Sequence, residues 1–289
     1  MSVEDVFKAF EDARRLGFTL FEMEGVGGPQ LHTEAENKGT IKKRCSEAGL
    51  KIVNFVPVLP DLTSTDEAKR KTALADFRLG CEIANFLEAD MVELDSYYPP
   101  FYEVKPYDIS RDFSYAYQPP KMKVEPGFDF WKYFKEVVVD SVAQCTDFAA
   151  SHGLRLCIEP RVWETVSSVW GLELLMREVN SNSLGAVFET AHFACQRTAL
   201  VQAAEMLGKR IFYVHASDSD YASEDHLEIG KGLIDWVTLM KALEKQHFDG
   251  VFGIDIGGNP RMRDSIDGMY SRSRTYLQKV IAGTPMIKT

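Results

Sequence analysis

"LCIE" at residues 156–159, "AVFE" at 186–189, "FYVH" at 212–215 and "FGID" at 252–255 are four short apolar runs, and each closes on a residue able to bind a metal ion. An apolar run of this length, bounded by turn residues, reads as a strand buried on both faces, which is the parallel-sheet pattern. Segments with helical spacing separate the runs, around Leu172 to Val179, Ala199 to Leu207 and Ile234 to Gln246. Strands alternating with helices build βαβ units and a parallel sheet. If that sheet closes into a barrel, the four polar ends Glu159, Glu189, His215 and Asp255 converge on one mouth, where such barrels carry their chemistry. Three carboxylates and one imidazole form an oxygen-rich set, suited to Mn²⁺, Mg²⁺ or Co²⁺ more than to structural zinc.

Upstream, Ser2-x-x-Asp5 is a capping-box signal for a helix whose apolar positions are Val3, Val6, Phe7, Phe10, Ala13 and Leu16, with Gly17 as its stop. A strand over 18–23, a helix over roughly 33–48, a strand over 51–58, a helix over 65–87 and a short strand over 91–94 follow. The three early strands end near Glu22, Pro57 and Asp95. Gly17, Gly49, Gly153 and Gly250 each stand between a helix and the next strand, as a βα repeat requires. The expected architecture is therefore one α/β barrel of the (β/α)8 type over residues 1–289. Seven strands are counted, and an eighth would have to precede the Ser2 helix, where it is not evident. Either the chain is truncated at its start or the barrel closes in another way.

Residues 97–134 interrupt the repeat. They hold thirteen aromatics and six prolines, too long a segment for an ordinary connection and too aromatic for disorder. It reads as an ordered insertion over the mouth or onto a neighbouring subunit; the alternative is a local cluster packed on itself.

Composition excludes several classes. The chain has 289 residues, a net charge of -10 and a pI near 5.2. Nucleic-acid binders carry basic patches, and an anionic membrane surface would repel this charge. No stretch approaches the ~20 apolar residues of a bilayer span, and no signal-peptide pattern opens the chain. Five scattered cysteines read as reduced thiols, which places the protein in the cytoplasm.

Further polar residues gather around the four strand ends. His192 lies one helical turn beyond Glu189, Asp218 three residues after His215, and Arg161 and Glu164 just after Glu159. The loop after the third run holds His226, Gly230, Gly232, Asp235 and Trp236. Taken in order, "CIEP", "FETAHF", "YVHASD", "IGKGLIDW" and "GIDIGG" resemble the xylose-isomerase-like TIM barrels, and within them the sugar phosphate isomerase/epimerase group with its ketose 3-epimerases. The resemblance implies a metal set of Glu159, Glu189, His215 and Asp255, and Mn²⁺ as the favoured ion. It also implies Glu159, Asp255 and His192 as catalytic groups, and Glu164, Arg161, His192, Asp218 and Glu22 as substrate-binding ones. Two positions depart from the pattern: Glu189 stands where Asp is usual, and Asp255 where Glu is usual. Asp255 then reaches about 1 to 1.5 Å less far, and misplacement on that scale can cost ~10²-fold in rate. The departure argues against unaltered 3-epimerase geometry while leaving the ligand set whole.

The implied reaction is metal-dependent isomerisation or epimerisation of a sugar, by proton transfer through an enediolate that the ion stabilises. A lyase of the same fold, such as the catalytic subunit of a C-glycoside-cleaving enzyme, is the second reading; the aromatic insertion would cover an aryl aglycone. A non-catalytic sugar-binding barrel is the third. The expected partners are a small sugar or sugar derivative and further copies of the chain, or a second subunit, with no nucleic acid and no membrane. Whether the sugar is phosphorylated stays open: Arg161, Arg197, Arg261 and Arg263 could anchor a phosphate or simply face solvent.

Overall fold

The computed structural model describes residues 2–101, 122–257 and 265–283. Seven strands are found among them: β1 (Leu20–Val26), β2 (Lys51–Val58), β3 (Met91–Asp95), β4 (Arg155–Glu159), β5 (Leu184–Glu189), β6 (Ile211–Ala216) and β7 (Val251–Ile254). They follow one another in the sheet in chain order. The pairs β1–β2, β2–β3, β5–β6 and β6–β7 are parallel. The described residues divide into two compact units, one of 2–101, 122–158 and 174–185, the other of 159–173, 186–257 and 265–283.

In the first unit, α1 (Val3–Arg15) starts on the expected capping box: the Asp5 amide donates to Ser2 Oγ at 3.2 Å and the Ser2 amide to Asp5 Oδ2 at 2.8 Å. It buries Val6 and Phe10, and Phe10 meets Phe21 edge-on at 4.9 Å. The helix α2 (Gly27–Glu47) begins six residues before the expected Thr33. Gly27-Gly28-Pro29 looks like a turn, yet proline fits the first turn of a helix, where its missing N–H is not needed. β2 is buried from Ile52 to Val58, and α3 (Glu67–Phe86) lies close to it through Gly80. A Cβ on Gly80 would stand 3.0 Å from Pro57 Cβ, so a larger residue here would have to push Pro57 aside by a few tenths of an ångström. The short α4 (Phe130–Tyr133) is capped by Asp129 and runs through a π-helical stretch, Phe134–Val139, into α5 (Asp140–Ser151).

The aromatic segment 97–134 lies partly outside the described residues, which resume at 122. Its described aromatics pack on one another: Phe101 on Phe128 at 5.6 Å, Phe128 on Tyr133 at 5.5 Å, Phe130 on Phe134 at 6.3 Å. Tyr97 is buried and its hydroxyl accepts the Leu59 amide at 2.6 Å. Arg261 and Arg263 also fall outside the described residues.

The second unit carries α6 (Val169–Val179) in part, α7 (Thr190–Cys195), α8 (Leu200–Leu207), α9 (Trp236–Lys245) and α10 (Ile266–Ile281). All five cysteines are free thiols. Among the described residues no helix is long and apolar enough to cross a membrane.

Candidate metal centre

Strand geometry alone places the four expected ligands. Glu159 and Glu189 are the last residues of β4 and β5, His215 is the penultimate residue of β6, and Asp255 directly follows β7. The Asp255 amide continues the ladder by donating to the Ala216 carbonyl at 3.1 Å. All four lie in the second unit.

Their side chains form two adjoining clusters. One ligand atom each from Glu159, His215 and Asp255 lies within 4.8 Å of the others. His215 Nδ1 is 2.7 Å from Glu159 Oε1, and Arg161 Nε is 3.8 Å from Glu159 Oε2. Burial alone would raise the Glu159 carboxyl, but His215, Arg161 and His192 bring it down to about 2. Glu189 belongs to a second cluster, with His192 and His226, whose ligand atoms also fall within 4.8 Å. Glu189 caps α7: its Oε2 accepts the His192 amide at 2.6 Å, and its Oε1 accepts the Ser217 hydroxyl at 2.9 Å. Burial holds the Glu189 carboxyl above its usual value; His226 and His192 oppose this only in part, and Asp255 and Glu159 add to it.

His226 joins the two clusters. Its Nδ1 lies 2.8 Å from Asp255 Oδ2 and 3.0 Å from the Asp255 carbonyl, and its ring meets His192 edge-on at 5.0 Å. Burial disfavours its charge, but Asp255, Glu189 and Glu224 together push its pKa up to about 10. Asp255 is raised by desolvation and lowered more strongly by His226, His215 and His192, so it stays ionised although 46% of its side chain is open. Glu224 approaches His192 Nδ1 at 3.2 Å, and His192, His226 and Arg161 keep its carboxyl below the usual range against the effect of burial.

The remaining candidates are dispersed. Glu164 is buried in the loop after β4, and its amide donates to the Arg161 carbonyl at 3.2 Å. Asp218 is buried and serves the loop that follows it. Oδ1 accepts the amides of Ser219 (2.9 Å) and Ile234 (3.1 Å), while Oδ2 accepts the Gly230 amide (2.8 Å) and Trp236 Nε1 (3.0 Å). Glu22 belongs to the first unit and accepts Asn54 Nδ2 at 2.8 Å. Glu224 escaped the sequence reading and His226 received no role there, since neither ends a strand. The two residues stand two apart in the chain, and both approach His192.

Four carboxylates and three imidazoles gather here, with His226 carrying positive charge among the acids. The donor chemistry fits a divalent ion held by mixed oxygen and nitrogen ligands. Parallel strands in chain order, with acids and imidazoles at their C-terminal ends, define an α/β-barrel protein that carries a cluster of potential metal ligands. The xylose isomerase-like TIM barrel family model matches residues 10–272, and the chain belongs to that family. It is 25% identical over 154 residues to an uncharacterized protein of Methanocaldococcus jannaschii, covering 50% of this chain and 52% of that one. It is 24% identical over 132 residues to the inosose isomerase of Bacillus subtilis, covering 42% and 47%. The matches thus span about half the length of these curated relatives. Among solved structures, D-psicose 3-epimerase from Clostridium cellulolyticum H10 superposes with a TM-score of 0.73 at 18% identity, covering 96% of this chain and 94% of that one.

Proposed function

We propose that this chain is a divalent-metal-dependent isomerase or epimerase that moves a proton on a sugar or sugar-like polyol. The observation that carries the reading is the convergence of Glu159, His215 and Asp255 on one point beyond the strand ends. The likeness to an inosose isomerase and to a D-psicose 3-epimerase supports it. Glu159, Glu189, His215 and Asp255 would hold the ion, with Mn²⁺ favoured by three carboxylates to one imidazole. A bound ion supplies Lewis acidity, polarising a substrate carbonyl and the neighbouring hydroxyl.

Glu159 is the base in this scheme. Its low pKa keeps it ionised, and His215 and Arg161 fix its two oxygens. Returned by Glu159 to the neighbouring carbon, the proton gives an isomer; a solvent proton delivered through Asp255 to the opposite face of the same carbon gives an epimer. The His192 ring and the Arg161 guanidinium orient substrate oxygens. Free cysteines suit a reducing, cytoplasmic setting.

Deuterium exchange at the substrate carbon tests this directly. Purified protein with Mn²⁺ should exchange solvent deuterium into a ketose or inosose. Glu159→Gln and Asp255→Asn should each lose at least ~10²-fold, since an amide keeps a ligand oxygen but accepts no proton. Absence of exchange into every ketose and inosose tried would overturn the reading.

A further inference from the structure

The last helix grips the loop that carries His226. One side of α10 turns Arg272, Ser273 and Tyr276 towards three consecutive residues of that loop. Arg272 donates twice to Glu228, Nε to Oε1 and Nη2 to Oε2, both at 2.7 Å. Ser273 Oγ is buried and accepts the Ile229 amide at 3.1 Å. The Tyr276 ring fills the place of a Gly230 side chain, since a Cβ there would stand 2.6 Å from the ring. Two residues before this grip comes His226. Its carbonyl accepts the Gly257 amide at 3.2 Å, and its Nδ1 lies 2.8 Å from Asp255 Oδ2. The Glu228 side chain is only 8% exposed, and the two-pronged bond from Arg272 is what lets a carboxylate stay there.

We propose that Arg272 is a positioning residue: through Glu228 it fixes His226, and through His226 it fixes the Asp255 carboxylate where that group delivers its proton. The role in turnover rests on the isomerase or epimerase reading above. Asp255 needs such a hold. It stands just beyond the last residue of β7, nearly half of its side chain is open, and His226 is the side chain paired with it. An open carboxylate moves between rotamers unless a neighbour fixes it. Without the Arg272 fork, Glu228 is a buried carboxylate that has lost its cation, and turning residue 228 outward relieves it. His226, two residues away, then shifts against Asp255 and Gly257. The backbone pair Asp218–Leu227 ties the same loop to the end of β6, so Arg272 sets the fine position of a loop that stays in place without it. Misplacement of a reacting group by about 1 Å can cost ~10²-fold in rate.

Arg272→Met, Arg272→Lys and Glu228→Gln test this in the full chain; if Arg272→Met does not fold, the other two decide. Amide hydrogen exchange, read by mass spectrometry on peptides covering 222–231 and 251–257, follows the Gly257 bond to His226 without metal or substrate. Arg272→Met and Glu228→Gln should exchange there at least ~10-fold faster than wild type, while α3 exchanges as before. Arg272→Lys should change least, because it keeps the charge and loses only the fork. Solvent deuterium incorporation into a ketose or inosose that the wild type accepts gives the second readout. In Arg272→Met kcat should fall at least ~10-fold with KM within about twofold, and Arg272→Lys should restore part of the loss. Unchanged exchange at 251–257, faster exchange spread evenly over the chain, or a local rise with kcat unaltered each overturns the proposal. If the wild type turns over no ketose or inosose, the isomerase reading falls, and a rise confined to 222–231 and 251–257 still supports Arg272 as the residue that holds His226 and Asp255.

Discussion

Replacing Asp218 by Asn isolates what holds the loop after β6. The buried carboxylate accepts four N–H groups, two on each oxygen. An amide of the same shape keeps one oxygen. Whichever way it is turned, its NH2 faces two donors that then have no acceptor. A hydrogen bond to a charged group contributes about 1.5–3 kcal/mol, so two lost bonds cost about 3–6 kcal/mol. For 289 residues the unfolding entropy near the midpoint is about 0.6 kcal/mol/K, which converts this to a fall of about 5–10 °C in Tm. Gly232→Ala attacks the same knot from the other side: the new Cβ would meet the Asp218 carboxylate and stand 2.5 Å from the Ser219 carbonyl oxygen. Overpacking of this kind costs about 1–3 kcal/mol, or about 2–5 °C. Thermal melts followed by circular dichroism read both, and limited proteolysis should cut first between 217 and 236. If Asp218→Asn melts within about 1 °C of the wild type, the carboxylate does not organise this loop.

Two further outcomes follow from residues in the first unit and in the aromatic segment. Burial raises the Glu34 carboxyl from 4.5 to about 7, against a hydrogen bond from Gln30 that lowers it. Between those values the folded chain holds a proton that the unfolded chain has released, so stability falls as pH rises through this window, by up to about 3 kcal/mol. Glu34→Gln, measured in melts from pH 4.5 to 8, should match the wild type at the acid end and exceed it at the alkaline end; parallel curves would count against a buried acid here. Deleting residues 104–124 should alter substrate range or oligomer size, read by activity across ketoses and by light scattering, while the remainder still folds; an unchanged substrate range and mass would reduce 97–134 to a surface cluster.

The strands and their polar ends were legible because burial on both faces leaves an unbroken apolar run that stops where the chain meets polar surroundings; Glu159, Glu189, His215 and Asp255 mark those stops. β1 was less legible. It runs to Val26 rather than ending near Glu22, and its inward polar side chains, such as Glu22 bonded to Asn54, interrupt the apolar run. The grouping of ligands was hidden for another reason. Strand register places a Cβ, not a carboxylate, and Glu189 is turned by its duty as the cap of α7. Asp218, expected among the substrate-binding residues, accepts four N–H groups of the loop that follows it, a duty its position three residues past His215 did not reveal.

Strand order in the sheet repeats strand order in the chain. A ribosome releases this polypeptide from its N-terminal end, and segments fold as they emerge. Glu159, Glu189 and His215 are therefore outside well before Asp255, which can take its place only when β7 pairs with β6 and the Asp255 amide reaches Ala216. His226, which Asp255 holds by Nδ1, waits for the same event. A nascent chain halted before residue 250 thus displays acids and imidazoles that are not yet assembled, and the cluster is completed only at the close of synthesis.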